Sequence, residues 1–374
     1  MRAKDLPANI LFKFLEYKKT IENLKSFGGS SPPSVFIPVK IKKVGVLLPP
    51  NVQNSKIYEY PEEWYRKNFD IGKILEMRGY MVYLKMEKNN KNIEILQNIA
   101  LSKESIDLNV ELKKKPRFIF LRDKYAIPIA NPAIPNKIEL QSDIKIERKI
   151  DYIVNDTDLK ASNAVFEIYK DGIEKSRIER IFSSGLLGLK TERRIVPTRW
   201  SITATDSILS NFLYEKVKYL ETIDKIRVYQ NSYLGNNYWI ILIPFTFSFE
   251  LIEIDLKTKK VWHDYEFVFK RKEYAEETGG GYYATRFACL EGLDKLRKQA
   301  AIIIIREIKE FFNVGVWKVR EAIRDAFNKS FLEFESVEEA KKFLIYKLES
   351  KELWLKYCKL IKIITEQKKI WSLF

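Results

Sequence analysis

Three consecutive runs rich in β-branched and aromatic residues, 227–233, 238–247 and 249–255, constrain this chain more than any other feature. Such side chains suit a pleated, half-buried surface, and Gly235-Asn236 between the first two runs supplies a turn. The runs predict an antiparallel meander, and further along the chain 300–305, which reads Ala-Ala-Ile-Ile-Ile-Ile, predicts a buried strand. Upstream, the helical spacing of Ile10, Leu11, Phe14, Leu15 and Ile21 predicts a helix that stops at Gly28-Gly29. Residues 27–34 read as a loop, followed by strands at 34–37 and 44–48, a helix at 70–77, a strand at 80–84 and a helix at 92–102. The basic segment 113–139 contains four prolines and predicts a short strand at 117–121 and then irregular chain. A helix over 156–172 has Ala161, Ala164, Val165 and Ile168 as its apolar stripe. The end of the chain is helical, the last helix carrying Leu353, Tyr357, Leu360, Ile361 and Ile364 on one face. The fold class expected is α/β in the mixed α+β sense: a mixed, partly antiparallel sheet flanked by helices, with a helical C-terminus.

The chain has 374 residues, enough for two folded units with short appendages. Its 46% hydrophobic content excludes wholesale disorder, because it can offset the entropy of ordering. No apolar run is long enough to cross a bilayer, so no membrane is expected as a partner. Charges in Met1-Arg2-Ala3-Lys4-Asp5 stand where a signal peptide needs its apolar stretch, which predicts a cytoplasmic protein. Two cysteines, Cys289 and Cys358, and one histidine, His263, argue against a disulfide framework and against a zinc site. Lys plus Arg is 66 against 50 acidic residues, a net charge of +16 that favours a polyanionic partner such as DNA.

The last eight residues are Gln367, Lys368, Lys369, Ile370, Trp371, Ser372, Leu373 and Phe374. They fit Gln-x-x-aliphatic-x-x-hydrophobic-aromatic, the pattern of a peptide that docks on the sliding clamp PCNA. A 3₁₀ turn places positions i and i+3 on one face, so Ile370, Leu373 and Phe374 make an apolar plug while the Gln367 amide donates and accepts. Residues 341–374 hold nine lysines and three glutamates, a basic approach to that motif. The bland alternative is a simple extension of the last amphipathic helix.

Gly279, Gly280 and Gly281 open a helix with Arg286 one turn in. Bare backbone N–H groups at a helix's positive end can hold a nucleotide or DNA phosphate, although glycine runs also serve as sharp turns. Lys190, Arg193, Arg194 and Arg199 beside Trp200 suit phosphate contacts with base stacking; the plainer alternative is a solvated charged loop with Asp206 capping the helix that follows. Glu250, Glu253 and Asp255 loosely imitate a metal-binding carboxylate set, and His263-Asp264 resembles a catalytic fragment. Solvated strand charges and a structural histidine are the plainer readings of these.

Several blocks together resemble the archaeal Nre family of DNA-repair proteins. They are Phe27-Gly28-Gly29-Ser30-Ser31-Pro32-Pro33-Ser34-Val35-Phe36, Arg194-Ile195-Val196-Pro197-Thr198-Arg199-Trp200-Ser201-Ile202-Thr203-Ala204, Lys272 to Ala275 with Tyr283 to Arg286, and Gly315-Val316-Trp317 with Arg320-Glu321. The resemblance implies an N-terminal region over 1–250, a C-terminal region over 251–364 and a clamp-binding tail over 365–374. It also implies a role in DNA damage repair through PCNA. Many relatives carry a four-cysteine zinc motif near the N-terminus; residues 1–26 contain no cysteine, which puts metal binding in doubt. The leading expectation is a clamp-tethered repair factor that touches DNA through basic surface. The alternative is a nucleotide- or nucleic-acid-processing enzyme using Gly279–Gly281, with Asp206 or Glu277 and a divalent metal; a third is a scaffold for repair helicases or nucleases.

Overall fold

The structure, a computed structural model, describes residues 8–121 and 127–371. It is a mixed α+β protein with two six-stranded mixed sheets. The chain divides into two compact units: Met1–Ile208 with Asn313–Gly315, and Leu209–Phe312 with Val316–Phe374.

The first unit runs α1 (Ala8–Glu22), β1 (Ser26–Ser31), β2 (Val35–Phe36), β3 (Lys43–Leu48), α2 (Pro61–Arg66), α3 (Ile71–Tyr80), β4 (Val82–Glu87) and α4 (Asn90–Leu101). It continues with β5 (Ile106–Lys114), β6 (Phe120–Leu121), β7 (Ile129–Ala130), β8 (Pro132–Leu140), α5 (Arg148–Asn155), α6 (Ala161–Lys170) and α7 (Lys175–Ser183), and enters α8 (Thr198–Val217). Its sheet has the order β1-β5-β8-β4-β3-β2, antiparallel except between β4 and β8. Helix starts follow local chemistry: the Asp70 carboxylate accepts from Lys73 N–H at 2.7 Å and the Asn89 side chain from Asn92 N–H at 2.9 Å. The stripe Ala164, Val165 and Ile168 is buried as its spacing predicts, though α6 begins at Ala161.

Two segments depart from expectation. Residues 27–31, read as loop, form β1 and pair in register with β5. Gly29 permits this, because a Cβ there would stand 2.4 Å from the Pro49 carbonyl oxygen, and the neighbouring backbone bonds the 51–52 segment through Gly28 O and Ser30 N. The proline-rich stretch contains β8, an interior strand. Pro132 takes its first position and Pro135 faces Leu112 where the register shifts, the two places where a missing donor is tolerated.

The second unit contains β9 (Ile226–Tyr233), β10 (Asn236–Ile243), β11 (Ser248–Asp255), β12 (Val261–Glu266), α9 (Gly280–Leu296), β13 (Ala301–Ile308), α10 (Trp317–Ala326), β14 (Leu332–Phe334), α11 (Val337–Lys347), α12 (Leu353–Tyr357) and α13 (Leu360–Trp371). The sheet order is β12-β11-β13-β10-β9-β14. Only β9 and β10 make the expected hairpin, through a two-residue turn at Leu234-Gly235. The third run, β11, is separated from β10 by β13, antiparallel to β10 and parallel to β11. Every residue of β13 is buried, so this strand needs cover on both faces and both edges, and only the middle of a sheet provides that.

Strand alternation then sorts the side chains. Ala301, Ile303, Ile305, Ile252 and Ile254 pack with Ala340, Leu344, Trp354, Leu360, Ile361 and Ile364 of the C-terminal helices. The opposite parity meets α9 and α10, which lie against β11 and against β9 and β10. Among the described residues no helix is long and apolar enough to cross a membrane.

Substituting Gly29→Ala should destabilise the first unit by about 1–3 kcal/mol, because the clash is with backbone that cannot rotate away. Denaturant unfolding measures it; an unchanged midpoint would show that the 49–52 segment yields freely.

Candidate functional site

Glu250 is fully buried, and its parity on β11 points it at the C-terminal helical layer. One carboxylate oxygen accepts from Lys359 N–H at 2.6 Å and lies 2.6 Å from His263 Nε2; the other accepts from Leu360 N–H at 2.9 Å and from Cys358 Sγ at 3.2 Å. The first N–H groups of a helix lack intrahelical partners and carry the positive end of its dipole. Glu250 therefore caps α13 from the neighbouring sheet, and His263 on the paired strand β12 braces the carboxylate. Burial, reinforced by the Glu250 charge, holds the Cys358 thiol well above its usual pKa, so it stays protonated and can donate.

The packed face of α13 includes Leu360, Ile361 and Ile364, while Glu366 is exposed. Gln367, Lys368, Lys369, Ile370 and Trp371 follow on the same helical backbone; Ser372, Leu373 and Phe374 lie outside the described residues.

The glycine run serves packing. Gly279, Gly280 and Gly281 are buried, and a Cβ on Gly281 would stand 3.3 Å from Glu253 Oε1, so the bare backbone lets α9 settle against β11. The residue ahead of the run, Thr278, gives both its N–H and its hydroxyl to Asp264 Oδ2 at 2.8 Å. Arg286 binds Glu266 at 2.6 Å and lies over the rings of Tyr214 and Phe247. An internal carboxylate thus stands before this helix, and the expected anion-binding arginine already has its acid.

The other candidates are likewise dispersed. Glu253 has opposite parity to Glu250 and pairs with Arg306 at 2.6 Å; Asp255 closes a turn by accepting from Lys257 and Thr258 N–H. Glu277 accepts from His263 N–H at 2.8 Å. Asp206 is no cap: it lies inside α8, fully buried, 2.8 Å from Lys175 Nζ, which also pairs with Glu179. Among the described residues no group of three or more His, Cys, Asp or Glu side chains is placed to hold a metal ion.

Of the basic candidates, Arg193 donates to the carbonyls of Gly188, Val154 and Asp156 at 2.6–2.8 Å, bracing the end of α5. Lys190 and Arg194 are exposed, Arg199 is half-buried, and Trp200 is 57% exposed. Sequence reading missed a buried polar cluster in the first unit. There Glu59 takes Ser34 Oγ at 2.7 Å and pairs with Arg78, and Arg180 donates to the Glu59 carbonyl at 2.9 Å. Burial lowers the Arg180 pKa from its ordinary value. No local spacing announces this cluster, since its members come from separate elements and loops.

A two-unit mixed α+β protein whose last helix is capped from within its second sheet is the class the geometry defines. The family model described as "Archaeal Nre, N-terminal" matches residues 5–263, and "Archaeal Nre, C-terminal" matches 266–373. The chain belongs to the archaeal Nre family. It is 35% identical to DNA repair protein NreB of Archaeoglobus fulgidus over 84% of each chain. It is 30% identical to DNA repair protein NreA of the same organism, over 86% of this chain and 85% of that one. With DNA repair protein NreA of Haloferax volcanii it shares 28% identity over 87% of this chain and 83% of the relative. No solved structure matches. The two family models meet within β12, inside the sheet of the second unit.

Replacing Glu250 with Gln should destabilise the second unit by about 1–3 kcal/mol, through loss of a charged acceptor for two N–H groups at the start of α13. Amide exchange at 359–363 should accelerate. Native Cys289 and Cys358 should both resist a thiol reagent at mildly alkaline pH, because burial raises both thiol pKa values. In Glu250→Ala, Cys358 should become the faster to label; equal labelling before and after would mean Glu250 does not hold α13.

Proposed function

We propose that this protein is a DNA-repair factor that docks on the sliding clamp PCNA through Gln367 to Phe374 and contacts DNA through basic surface, with Lys190, Arg194 and Arg199 as exposed or half-exposed members. Its relatives are named DNA repair proteins, which supports the repair role. The observation that carries the clamp reading is the anchoring of α13. Glu250 and the stripe ending at Ile364 hold the start of this helix, and the docking pattern begins three residues later, after exposed Glu366. The body thus holds the segment that precedes Gln367, which supports the reading of 367–374 as a separate docking element. The same role places the chain with the genome, in the cytoplasm of a cell without a nucleus.

Docking by a single short peptide is expected at about micromolar Kd, and a clamp already on DNA makes the second contact intramolecular. The 3₁₀ turn that docking requires would redraw the backbone from Ile370 onward and leave the Glu250 cap untouched. Calorimetric titration into the cognate clamp should give binding for the full chain and none for a chain lacking 367–374 or carrying Phe374→Ala, with unfolding midpoints unchanged. Equal binding by all three would overturn the proposal.

A further inference from the structure

In the second unit, the turn between β12 and α9 is held in a costly shape and presents an apolar ring to water. Val268 has φ of 57°, the left-handed region, which a β-branched residue avoids. Three contacts impose it: Val268 N–H donates to Ser248 Oγ at 3.0 Å, the Tyr214 hydroxyl donates to the Val268 carbonyl at 3.1 Å, and Phe269 N–H closes onto the Phe267 carbonyl. The flanks are clamped as well. Phe267 stacks on Phe245, and Arg271 donates to Asp264 Oδ1 at 2.9 Å. What this frame holds out is Phe269, 80% exposed, with Lys270 and Lys272 exposed beside it.

A loop with nothing to do could relax at this point, since a polar or glycine residue would satisfy the turn without strain or exposed ring. Strain maintained by surrounding contacts is characteristic of functional positions. The same frame leads to a second exposed ring. Tyr214, which holds Val268, lies under Lys218 Nζ at 5.6 Å, and that ammonium also stands 4.8 Å from the ring of Tyr219, itself 80% exposed. Lys218 pairs with Glu215 at the surface, an exposed contact that a phosphate can displace.

We propose that Phe269 and Tyr219, with Lys218, Lys270 and Lys272, form a stacking surface for an unpaired stretch of DNA. Aromatic faces interleaved with lysines are the chemistry of sequence-tolerant single-strand binding: bases stack on the rings and the ammonium groups follow the phosphates. Paired bases present no free face to a ring, so the surface discriminates by strandedness. The inference rests on the DNA-contact reading above and gives it a substrate class, DNA that is locally single-stranded.

The test uses the full chain with a labelled oligothymidylate of about 20 nucleotides and a duplex of equal length, by fluorescence anisotropy. Phe269→Ala and Tyr219→Ala should each weaken oligothymidylate binding by roughly tenfold and leave duplex binding unchanged. Phe269→Trp should retain binding and show indole quenching, relative to the parent chain, on saturation with oligothymidylate. Oligothymidylate binding unaffected by either alanine, or binding to duplex alone, would overturn the stacking surface and leave the DNA-contact reading standing. No binding to either probe by the parent chain would overturn both. Because both rings are exposed, the alanine variants should keep the parent unfolding midpoint, which separates lost stacking from lost fold.

Discussion

A buried carboxylate joins the second sheet to the end of the chain. Glu250 on β11 accepts the opening N–H groups of α13, touches the protonated thiol of Cys358 and is braced by His263. A buried charge is tolerated only where donors surround it, and here a helix terminus supplies two with a favourable dipole. The arrangement makes the start of the last helix a property of the sheet. It also explains why the single histidine sits on β12, one strand from Glu250, in register with Ile252.

The same economy recurs where nucleotide chemistry had been expected. Asp264 receives Thr278 ahead of α9, Glu266 takes Arg286, and Asp206 pairs with Lys175. Most groups that looked available for phosphate, metal or proton transfer are matched with an internal partner, an opposite charge for Asp206, Glu253 and Arg286 and backbone groups for Asp255, Glu277 and Arg193. The exposed exceptions concentrate at the surface: Arg194 with Trp200 in the first unit, and Phe269 with Tyr219 and their lysines in the second.

How far the sequence could be read depended on whether the governing contacts were local. Helix stripes such as Ala164, Val165 and Ile168 involve neighbours three or four positions apart and were legible. β1 and β8 were not. Gly28-Gly29 and Pro132 with Pro135 are turn-like in isolation, and they become strand residues only because β5 lies beside them and the 49–52 segment crowds Gly29. The meander failed for a related reason. Nothing within 227–255 reveals that a strand from residue 301 will part β10 from β11; that follows from the need of a wholly apolar strand for cover on all sides.

By itself the sequence determined the mixed α+β class, the helical end, the family resemblance carried by its scattered blocks and the pattern of its last eight residues. These depend on composition, periodicity and short spacing. Only the tertiary structure decided which charges are internal: that Glu250 and Glu253, three positions apart, face opposite sides of one sheet, one to a helix end and the other to Arg306. It alone placed Val268 under strain and Phe269 in solvent, because the groups that impose that geometry, Ser248 and Tyr214, lie 20 and 54 positions away along the chain. Long-range partners, which no local pattern encodes, set the electrostatics of both helix termini and the exposure of the rings.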